Sequence, residues 1–165
     1  MFPTLGYWLA VRDGDPRAFD LYSRHYSYRA YTDGRRCYGY RNRALIMGPG
    51  EKLVLLGADE RALFGWRRYH DANQGFCVSC TVFRNEGSER SSDLIREAAA
   101  LAWQRWPGER LVTYVNPRLV RSKAPGWCFR KAGWRKCGVT KWNKLIILEC
   151  LPEAAPGPQE AHSDA

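Results

Sequence analysis

The sequence predicts one α/β domain in which helices cover both faces of a mixed, mostly antiparallel sheet. Short apolar runs of strand length recur along the chain, and segments with helix start signals lie between some of them. The chain has 165 residues, 45% of them hydrophobic, so it is long enough for one packed core. We expect the order β–α–β–β–β–α–β–α–β over residues 1–150, followed by a flexible acidic tail over 151–165.

The first half of the chain carries one helix signal and three strand signals. Asp15 before Pro16 is typical of a helix start, because proline is tolerated in the first helical turn. This helix is expected to run to about His25. The apolar runs predict strands over 7–11, 52–57 and 62–66, with a polar loop over 69–75.

The second half begins with an apolar run over 76–83 that predicts a buried strand. A polar turn over 84–90 follows, and Ser91, Ser92 or Asp93 is expected to cap a helix that ends near Trp106. The free backbone N–H groups at such a helix start could receive an anionic group. Beyond this helix we expect a strand over 111–115, a short helix over 126–133 and a final strand over 144–149.

The positive charge of the chain indicates a polyanionic partner, and nucleic acid is the commonest partner of this kind. The net charge is +9, and residues 118–144 contain nine Lys or Arg and no acid. Between Arg24 and Arg43, six arginines alternate with tyrosines against one acid, Asp33. Arginine grips phosphates and tyrosine stacks on bases. The expected nucleic-acid contacts are Arg29, Arg35, Arg36, Arg41, Arg121, Lys123 and Arg130.

The overall charge and the stretch 24–43 each have a simpler interpretation as well. The charge as a whole is compatible with a highly soluble basic surface that binds nothing. The stretch 24–43 is compatible with a loop whose tyrosines dock on the domain.

Six cysteines, at positions 37, 77, 80, 128, 137 and 150, raise the question of a metal site. Cys77 and Cys80 have the spacing of a zinc ligand pair. They lie in a predicted strand, however, where side chains three residues apart point to opposite faces. No second close pair exists, and the three histidines are scattered. We therefore predict reduced core cysteines and no metal.

The sequence also bears on location. No apolar run approaches the ~20 residues that span a bilayer. The first residues lack the charged and apolar regions of a secretory signal. We expect a cytoplasmic protein without a membrane partner.

Two features of the chain resemble the GNAT acyltransferases. The predicted hairpin over 52–66 leads into the strand, turn and helix of 76–106, and the segment 129–138 is similar to the family pattern Y-x-K-x-G-F-x-x-x-G. The resemblance covers about residues 5–150. It implies a GNAT-like domain that binds acetyl-CoA or another acyl-CoA, with the pyrophosphate on the turn before the long helix. The implied cofactor-binding residues are Arg84, Gly87, Ser91, Ser92 and Phe129.

Two positions depart from that family pattern. The turn is glycine-rich in the family, whereas here it keeps only Gly87. It also contains Glu86 and Glu89, which repel a pyrophosphate unless they point away. Phe129 stands where many GNAT enzymes have a tyrosine acid, and a phenyl ring cannot transfer a proton.

A narrower group, the phage Mom-like DNA-modification proteins, resembles the chain at more positions. These proteins alter adenine in phage DNA and block host restriction. Their pattern has a His-Tyr pair, an arginine that ends the central strand, a serine at the helix start, a Y-x-D-P strand end and a G-x-x-Y-x-A-x-x-W-x-x-x-G segment. The matching residues here are His25 and Tyr26, Arg84, Ser91 or Ser92, residues 114–117, and residues 126–138, with Asn116 and Phe129 differing from the pattern.

Three residues are the candidates for chemistry. His25 could accept a proton from an amine, because histidine titrates near neutral pH, or it could be a histidine stabilised at a helix C-terminus. Tyr26 could stack on an extruded base or donate a hydrogen bond; otherwise it is a core aromatic residue. Asn116 could bind a base edge or polarise an acyl carbonyl, or it could be a turn residue before Pro117.

These observations lead to three hypotheses for function. The first is a GNAT-like acyltransferase that modifies DNA bases and protects phage DNA in the host cytoplasm. The second is a GNAT N-acetyltransferase that acts on a small amine or a protein. The third is a non-catalytic nucleic-acid-binding module on a GNAT scaffold.

Overall fold

A computed structural model describes residues 6–26, 28, 45–48, 50–72, 75–120 and 124–152 of the chain. These residues form an α/β structure of strands and helices. The strands are β1 (Trp8–Val11), β2 (Lys52–Gly57), β3 (Ala62–Asp71), β4 (Gly75–Asn85), β5 (Arg110–Val115), β6 (Arg135–Val139) and β7 (Ile146–Cys150). The helices are α1 (Pro16–Tyr22), α2 (Ser91–Arg105) and α3 (Trp127–Lys131).

All seven strands belong to one sheet, in the order β1-β2-β3-β4-β5-β7-β6. Each neighbouring pair is antiparallel except β4 and β5, which run parallel. The α2 helix lies in the connection between these two strands, as a parallel pair requires a long crossover. The predicted mixed, mostly antiparallel sheet is therefore confirmed for the described residues.

The parallel pair holds together over only part of its length. Residues 77–80 of β4 lie opposite residues 110–113 of β5, and β4 then continues unpaired with β5 to Asn85. Because parallel strands end on the same side, both C-terminal ends lie at one end of the sheet, which we call the cleft end. The turn between β6 and β7 lies there too, since Val115 and Val139 both pair with Ile146.

The buried side chains form two hydrophobic clusters. The larger cluster contains residues of α2 and α3 together with sheet residues, and the smaller one contains residues of α1 together with other sheet residues. Leu55 belongs to the larger cluster, whereas its neighbours Val54 and Leu56 belong to the smaller one. This alternation is expected of a strand whose side chains point in turn to opposite faces.

The α2 helix begins one residue earlier than a serine cap would place it. Arg90 is the N-cap residue and makes no side-chain capping bond, while Ser91 and Ser92 are the first helical residues. The expected capping role of these serines is therefore wrong. Asn85 instead organises the helix start, because its side-chain amide donates to the Ser91 hydroxyl at 3.0 Å and to the Glu89 carbonyl at 2.7 Å.

The β3 strand is longer than its apolar run predicts. It extends to Asp71, so residues 69–71 of the loop expected over 69–75 are strand. Antiparallel pairing with β4 continues to Asp71 opposite Gly75. The polar residues fit this strand because Arg68 forms ion pairs with Glu51 and Glu109 at 2.9 and 2.8 Å. The expected end of the strand at residue 66 is therefore wrong.

The sequence analysis also missed one strand and placed the end of α1 too late. The β6 strand is an edge strand that pairs only with β7, and its residues are mostly exposed, so it has no apolar pattern to detect. The α1 helix ends at Tyr22, and His25 follows it in a turn.

Glu149 belongs to the β7 strand, and it is buried there. Burial raises the pKa of this carboxyl, but hydrogen bonds from Arg110 and Arg135 outweigh that effect and lower it below its ordinary value. Glu149 is thus held by two arginines from the strands β5 and β6. It is part of the packed sheet.

The described cysteines are free thiols. Cys77, Cys80 and Cys150 are buried, as predicted for core residues, whereas Cys128 is only partly buried and the core prediction is wrong for Cys137, which is exposed. Among the described residues, no group of three His, Cys, Asp or Glu side chains could hold a metal ion. None of the helices in the described ranges has both the length and the apolar character to cross a membrane. Cys37 lies outside the described residues.

Candidate functional site

A cavity of about 180 Å³ opens at the cleft end, where β4 and β5 stop pairing. The β4 strand has a bulge at the edge of this cavity, because Trp66 pairs with Cys80 while Gly65 pairs with Val82, which leaves Thr81 as the extra residue. Bulges of this kind bend a strand away from its neighbour. The cavity is lined by His25, Tyr26, residues 80–83, residues 113–115, Val120, Gly126, Cys128 and Phe129.

His25 lies against the β4 wall of the cleft. The pKa of its imidazole is lowered to about 4: burial is the largest cause and the positive charge of Arg84 adds to it, whereas a hydrogen bond with the Phe83 backbone acts in the opposite direction. A hydrogen bond that raises the pKa of histidine is one that the ring donates, so the acceptor is the Phe83 carbonyl. Since the pKa of His25 lies well below 7, its ring is neutral at pH 7, and its second ring nitrogen carries a lone pair.

Tyr26 lies against the opposite wall. Burial raises the pKa of its phenol, and a hydrogen bond with the Asn116 backbone partly offsets that effect. The hydroxyl is thus protonated at neutral pH. The His25 and Tyr26 rings lie 4.3 Å apart between centroids. The pair therefore connects the two strands where they have separated, and each ring bonds a backbone group on its own side of the cleft.

This arrangement has a structural reason as well as a chemical one. When two strands separate, the backbone groups that faced each other lose their partners, and such groups must be bonded elsewhere if they are buried. His25 supplies a partner at Phe83 and Tyr26 supplies one at Asn116. The His-Tyr pair thus stabilises the open form of the strands and at the same time presents polar groups to the cleft.

Phe129 forms part of the floor of the cleft. Its ring packs edge-on against Phe83 and Trp134, with centroids 6.0 and 5.0 Å away. It is buried and belongs to the larger hydrophobic cluster. Its neighbour Cys128 also lines the cavity, and burial raises the pKa of that thiol, so it is a neutral group at pH 7.

Gly126 begins α3 in the left-handed region, with φ of 78°. A side chain here would bring its Cβ within 2.7 Å of Leu148 Cδ1. Only glycine therefore allows the short helix to approach β7 this closely.

Asn116 follows the last residue of β5 and does not line the cavity. Its Oδ1 atom accepts a hydrogen bond from the Arg118 backbone N–H at 3.0 Å, and its carbonyl accepts from Leu119 and Val120. These bonds are those of a turn before and around Pro117. The Asn116 side chain is therefore a turn residue, which is the second of its two expected roles. The backbone of Asn116 contacts Tyr26.

The turn between β4 and α2 is closed by Asn85. The Gly87 N–H donates to Asn85 Oδ1 at 3.0 Å. A Cβ atom on Gly87 would come within 2.9 Å of Asp59 Oδ2, so a side chain at this position would displace the Asp59 carboxylate. Within the described part of the chain, the backbone N–H groups of residues 88–92 have no acceptor.

Arg84 and Glu86 form an ion-pair network at the same end of the sheet. Arg84 bonds Glu86, and Arg24 donates to both oxygens of Glu86 at 2.8 and 2.9 Å. Hydrogen bonds from Arg24 and Arg84 lower the pKa of Glu86 to about 2. Two guanidinium groups therefore neutralise the acid that would repel a phosphate on this turn. Glu89 is exposed.

The basic residues predicted to bind DNA divide into two groups. Arg130 is exposed on α3. The remaining predicted contacts lie outside the described residues: Arg29, Arg35, Arg36, Arg41, Arg121 and Lys123.

The structure brings several predicted site residues together. His25, Tyr26 and Phe129 share one cavity, and Arg84, Gly87, Ser91 and Ser92 lie on the turn and helix that follow its β4 wall. Sequence reasoning missed Asn85 and Cys128. Asn85 had a detectable signal, because an asparagine two residues before a glycine favours a side-chain-closed turn. Cys128 had none, since a lone cysteine in a short helix is most often a core residue.

A wider depression of about 810 Å³ lies beside β1 and is lined by residues 10–15 and Leu45. It lies away from the cleft end, because β1 approaches that end at Trp8, which pairs with Gly57. The Asp13 carboxylate nearby already bonds Ile46, Met47 and Lys52. The smaller cavity is therefore the candidate site.

Comparisons of the chain with protein-family models, with curated proteins and with solved structures found no match.

Proposed function

We propose that this protein is a GNAT-like acyltransferase that moves an acyl group from acetyl-CoA or another acyl-CoA to an amino group of a DNA base. The observation that carries the proposal is the separation of the parallel strands β4 and β5 around a cleft at their C-terminal ends. Ligands of open α/β sheets bind at this end of the strands. The two hydrophobic clusters support the further proposal that helices cover both faces of the sheet.

The turn after β4 supports a phosphate-bearing cofactor. The N–H groups of residues 88–92 have no acceptor in the described ranges and lie just before and in the first turn of the long helix α2, and such groups bind anions. The pairing of Glu86 with Arg24 and Arg84 removes the repulsion expected from that acid. Arg84, Gly87, Ser91 and Ser92 would hold the pyrophosphate, and the thioester would supply the activated acyl group, its C–S bond breaking as the CoA thiolate leaves and takes up a proton.

The cleft supports a small transferred group. A cavity of 180 Å³ has the volume of about six water molecules in the liquid. This is room for an acyl group and the attacking amine but less than a whole cofactor or nucleotide fills. The remainder of the base would lie at the mouth of the cleft.

Two side chains supply the polar groups that acyl transfer needs. The neutral His25 ring can accept the proton that the amine loses as it attacks. The protonated Tyr26 hydroxyl can donate a hydrogen bond, and it stands in the same cavity as Phe129, which lacks a hydroxyl. The pKa of about 4 makes His25 a weak base, so positioning would contribute more to the rate than proton transfer.

The charge distribution supports DNA as the substrate. From Arg110 to Leu148 the chain has no acid, and its described cations there are exposed or partly exposed. Cations of this kind neutralise phosphates in the manner of nucleic-acid-binding proteins. Modification of a base would protect DNA from restriction, as in the phage group that the sequence resembles.

A non-catalytic nucleic-acid-binding module is the second candidate. The specific observation in its favour is that the groups best suited to chemistry already have structural partners. The Asn116 side chain bonds the Arg118 backbone, and His25 and Tyr26 bond the walls of the cleft. In that case the cleft has no catalytic role, and the basic surface binds nucleic acid.

The test is the composition of DNA from cells that express the protein. Plasmid DNA is purified from these cells, digested to nucleosides and analysed by mass spectrometry. We expect a new acylated nucleoside with the unmodified chain and much less with Tyr26→Phe, which removes only the hydroxyl. His25→Gln and Asn116→Ala extend the series.

Tyr69→Phe is the matched control, because it also removes one phenol hydroxyl but from a residue that does not itself line the cavity, and it should leave the yield unchanged. Unmodified DNA together with salt-sensitive retention of the folded protein on DNA would favour the second candidate. Equal yields from Tyr26→Phe and the unmodified chain would remove Tyr26 from the mechanism.

A further inference from the structure

The turn between β6 and β7 projects from the cleft end of the sheet. Its residues 140–145 connect Val139 to Ile146, and Ile146 also pairs with Val115, the last residue of β5. The turn therefore extends past the point where β5 ends and the cleft opens. A ligand that enters the cleft from this end passes near the turn.

Trp142 is the most exposed large hydrophobic side chain among the described residues, with 85% of its surface accessible. It belongs to neither hydrophobic cluster. The Lys141 ammonium lies 5.2 Å from the centre of its ring. An indole exposed to this degree contributes nothing to the core, and the lysine beside it makes the site cationic as well as aromatic.

The turn holds Trp142 on a defined backbone. The Thr140 N–H donates to the Leu145 carbonyl, and the Leu145 N–H donates back to Thr140 Oγ1, both at 2.9 Å. These two bonds close the loop at its base. Lys144 has a left-handed φ of 53°, which reverses the chain within the loop. The exposed ring is therefore presented by a closed turn, which reduces the entropy lost when a ligand binds.

The surroundings of Trp142 select the chemistry of a partner. Lys141, Lys144 and Lys136 are exposed, and none of them has an acidic partner among the described residues. A second copy of this chain would place lysines against lysines in a symmetric contact, which is repulsive. A polyanion with flat aromatic faces satisfies both the charge and the ring, and single-stranded DNA has that chemistry.

We propose that the β6–β7 turn binds an unpaired stretch of DNA, with Trp142 stacked on a base and Lys141 and Lys144 on the flanking phosphates. This inference rests on the proposed DNA-directed function and adds where the strand beside the target base is held. The base stacked on Trp142 lies outside the cleft, and the neighbouring base of the same strand can then enter the cleft. The preferred substrate is accordingly DNA with an unpaired or extruded nucleotide.

The test measures the affinity of the full chain for a fluorescent oligothymidine and for a duplex with one unpaired thymine. We expect Trp142→Ala to weaken binding to oligothymidine about tenfold, which corresponds to about 1.4 kcal/mol of stacking. Trp142→Phe should keep most of the affinity, because a phenyl ring also stacks. Lys141→Gln should reduce the slope of log affinity against log salt by about 0.7.

Phe76→Ala is the matched control. Phe76 is also an exposed aromatic residue with a cation near its ring, since the Arg68 guanidinium lies 3.9 Å from its centre. It lies near the start of β4, at the opposite end of the sheet from the cleft. Its replacement should leave DNA affinity unchanged.

The outcomes separate this inference from the proposed function. If the unmodified chain binds both DNA probes and Trp142→Ala binds them equally well, the role of the turn is refuted while the DNA-directed function stands. If the unmodified chain binds neither probe, the role of the turn and the DNA-directed function are both refuted. If light scattering shows that the chain is a dimer and Trp142→Ala a monomer, the turn is a protein interface and the inference is refuted.

Discussion

The two halves of the sheet arrange their charges in opposite ways. In the described residues up to 109, several cations lie in ion pairs that join separate elements, such as Arg17 with Glu60, Arg24 with Glu86 and Lys52 with Asp13. In residues 110–152, Glu149 is the only described acid. It pairs with two arginines, and the remaining described cations there have no acidic partner among the residues that the structure describes: Arg118, Arg130, Lys131, Lys136, Lys141 and Lys144.

The difference shows what each set of charges does. Paired charges hold elements of the fold in place, whereas unpaired cations on one surface raise the local potential and attract a polyanion. The cleft lies at the boundary between the halves, with the ion-paired turn after β4 on one side and the acid-free loop after β5 on the other. A cofactor phosphate and a DNA phosphate would therefore approach from different sides.

The largest expected effect comes from the single acid of the basic half. Glu149→Gln should lower the free energy of unfolding by about 3 kcal/mol, because it leaves Arg110 partly buried beside Arg135 without a negative charge. Glu60→Gln is the matched control in the other half, where the pair with Arg17 is exposed on both sides and its loss should change the free energy of unfolding much less. Urea denaturation of both variants checks this contrast. Equal losses would contradict it.

The second prediction concerns the pH dependence of stability. The pKa of His25 is about 4 in the folded chain against an ordinary value of 6.5, so the unfolded chain binds a proton at higher pH than the folded one. The stabilisation is complete above pH 6.5 and is lost as the pH falls toward 4. The loss from this group is about 3 kcal/mol or less.

His25→Gln should remove this part of the pH dependence, measured by urea denaturation across the window from pH 4 to 6.5. The exposed His70 provides the control, and His70→Gln should leave the curve unchanged. If the His25→Gln curve keeps the slope of the unmodified chain, the cleft does not hold His25 in its neutral form.

The third prediction tests whether DNA affinity depends on where the positive charges lie or only on how many there are. Arg130→Gln combined with Lys136→Gln should weaken duplex DNA binding on the order of 50-fold near 0.1 M salt, and the salt slope should become shallower by about 2. Arg12→Gln combined with Arg105→Gln removes the same charge from exposed positions in the other half and should change affinity little. Fluorescence anisotropy over a salt series measures both. Similar losses in the two double variants would show that only net charge matters.

Most of the elements could be predicted because their residues carry local signals. The strand at 52–57 is an apolar run bounded by a polar turn, and Asp15 with Pro16 marks the start of α1 as expected. Two elements failed for a common reason. The outer part of β3 and all of β6 are polar or exposed, and they are strands because a neighbouring strand pairs with them. Their stabilisation is tertiary, so the local pattern does not reveal it.

The candidate site was likewise predicted only in part from the sequence. The His25-Tyr26 pair was identified from the sequence, but its roles as a neutral ring on Phe83 and a phenol on Asn116 depend on the separation of two strands. Asn85 and Cys128 were missed, since their importance arises from what they contact. The basic stretches at 29–41 and 121–123 lie outside the described residues, so their part in DNA binding stays a prediction.

The sequence by itself determined the hydrophobic pattern that makes an α/β domain and the uneven distribution of acids, because both depend only on residue types and their order. The tertiary structure decided where β4 and β5 part and which side chains meet in the gap. That decision needs contacts between residues far apart in the chain, such as His25 with Phe83 and Tyr26 with Asn116. Only the folded sheet, which brings these residues together, provides those contacts.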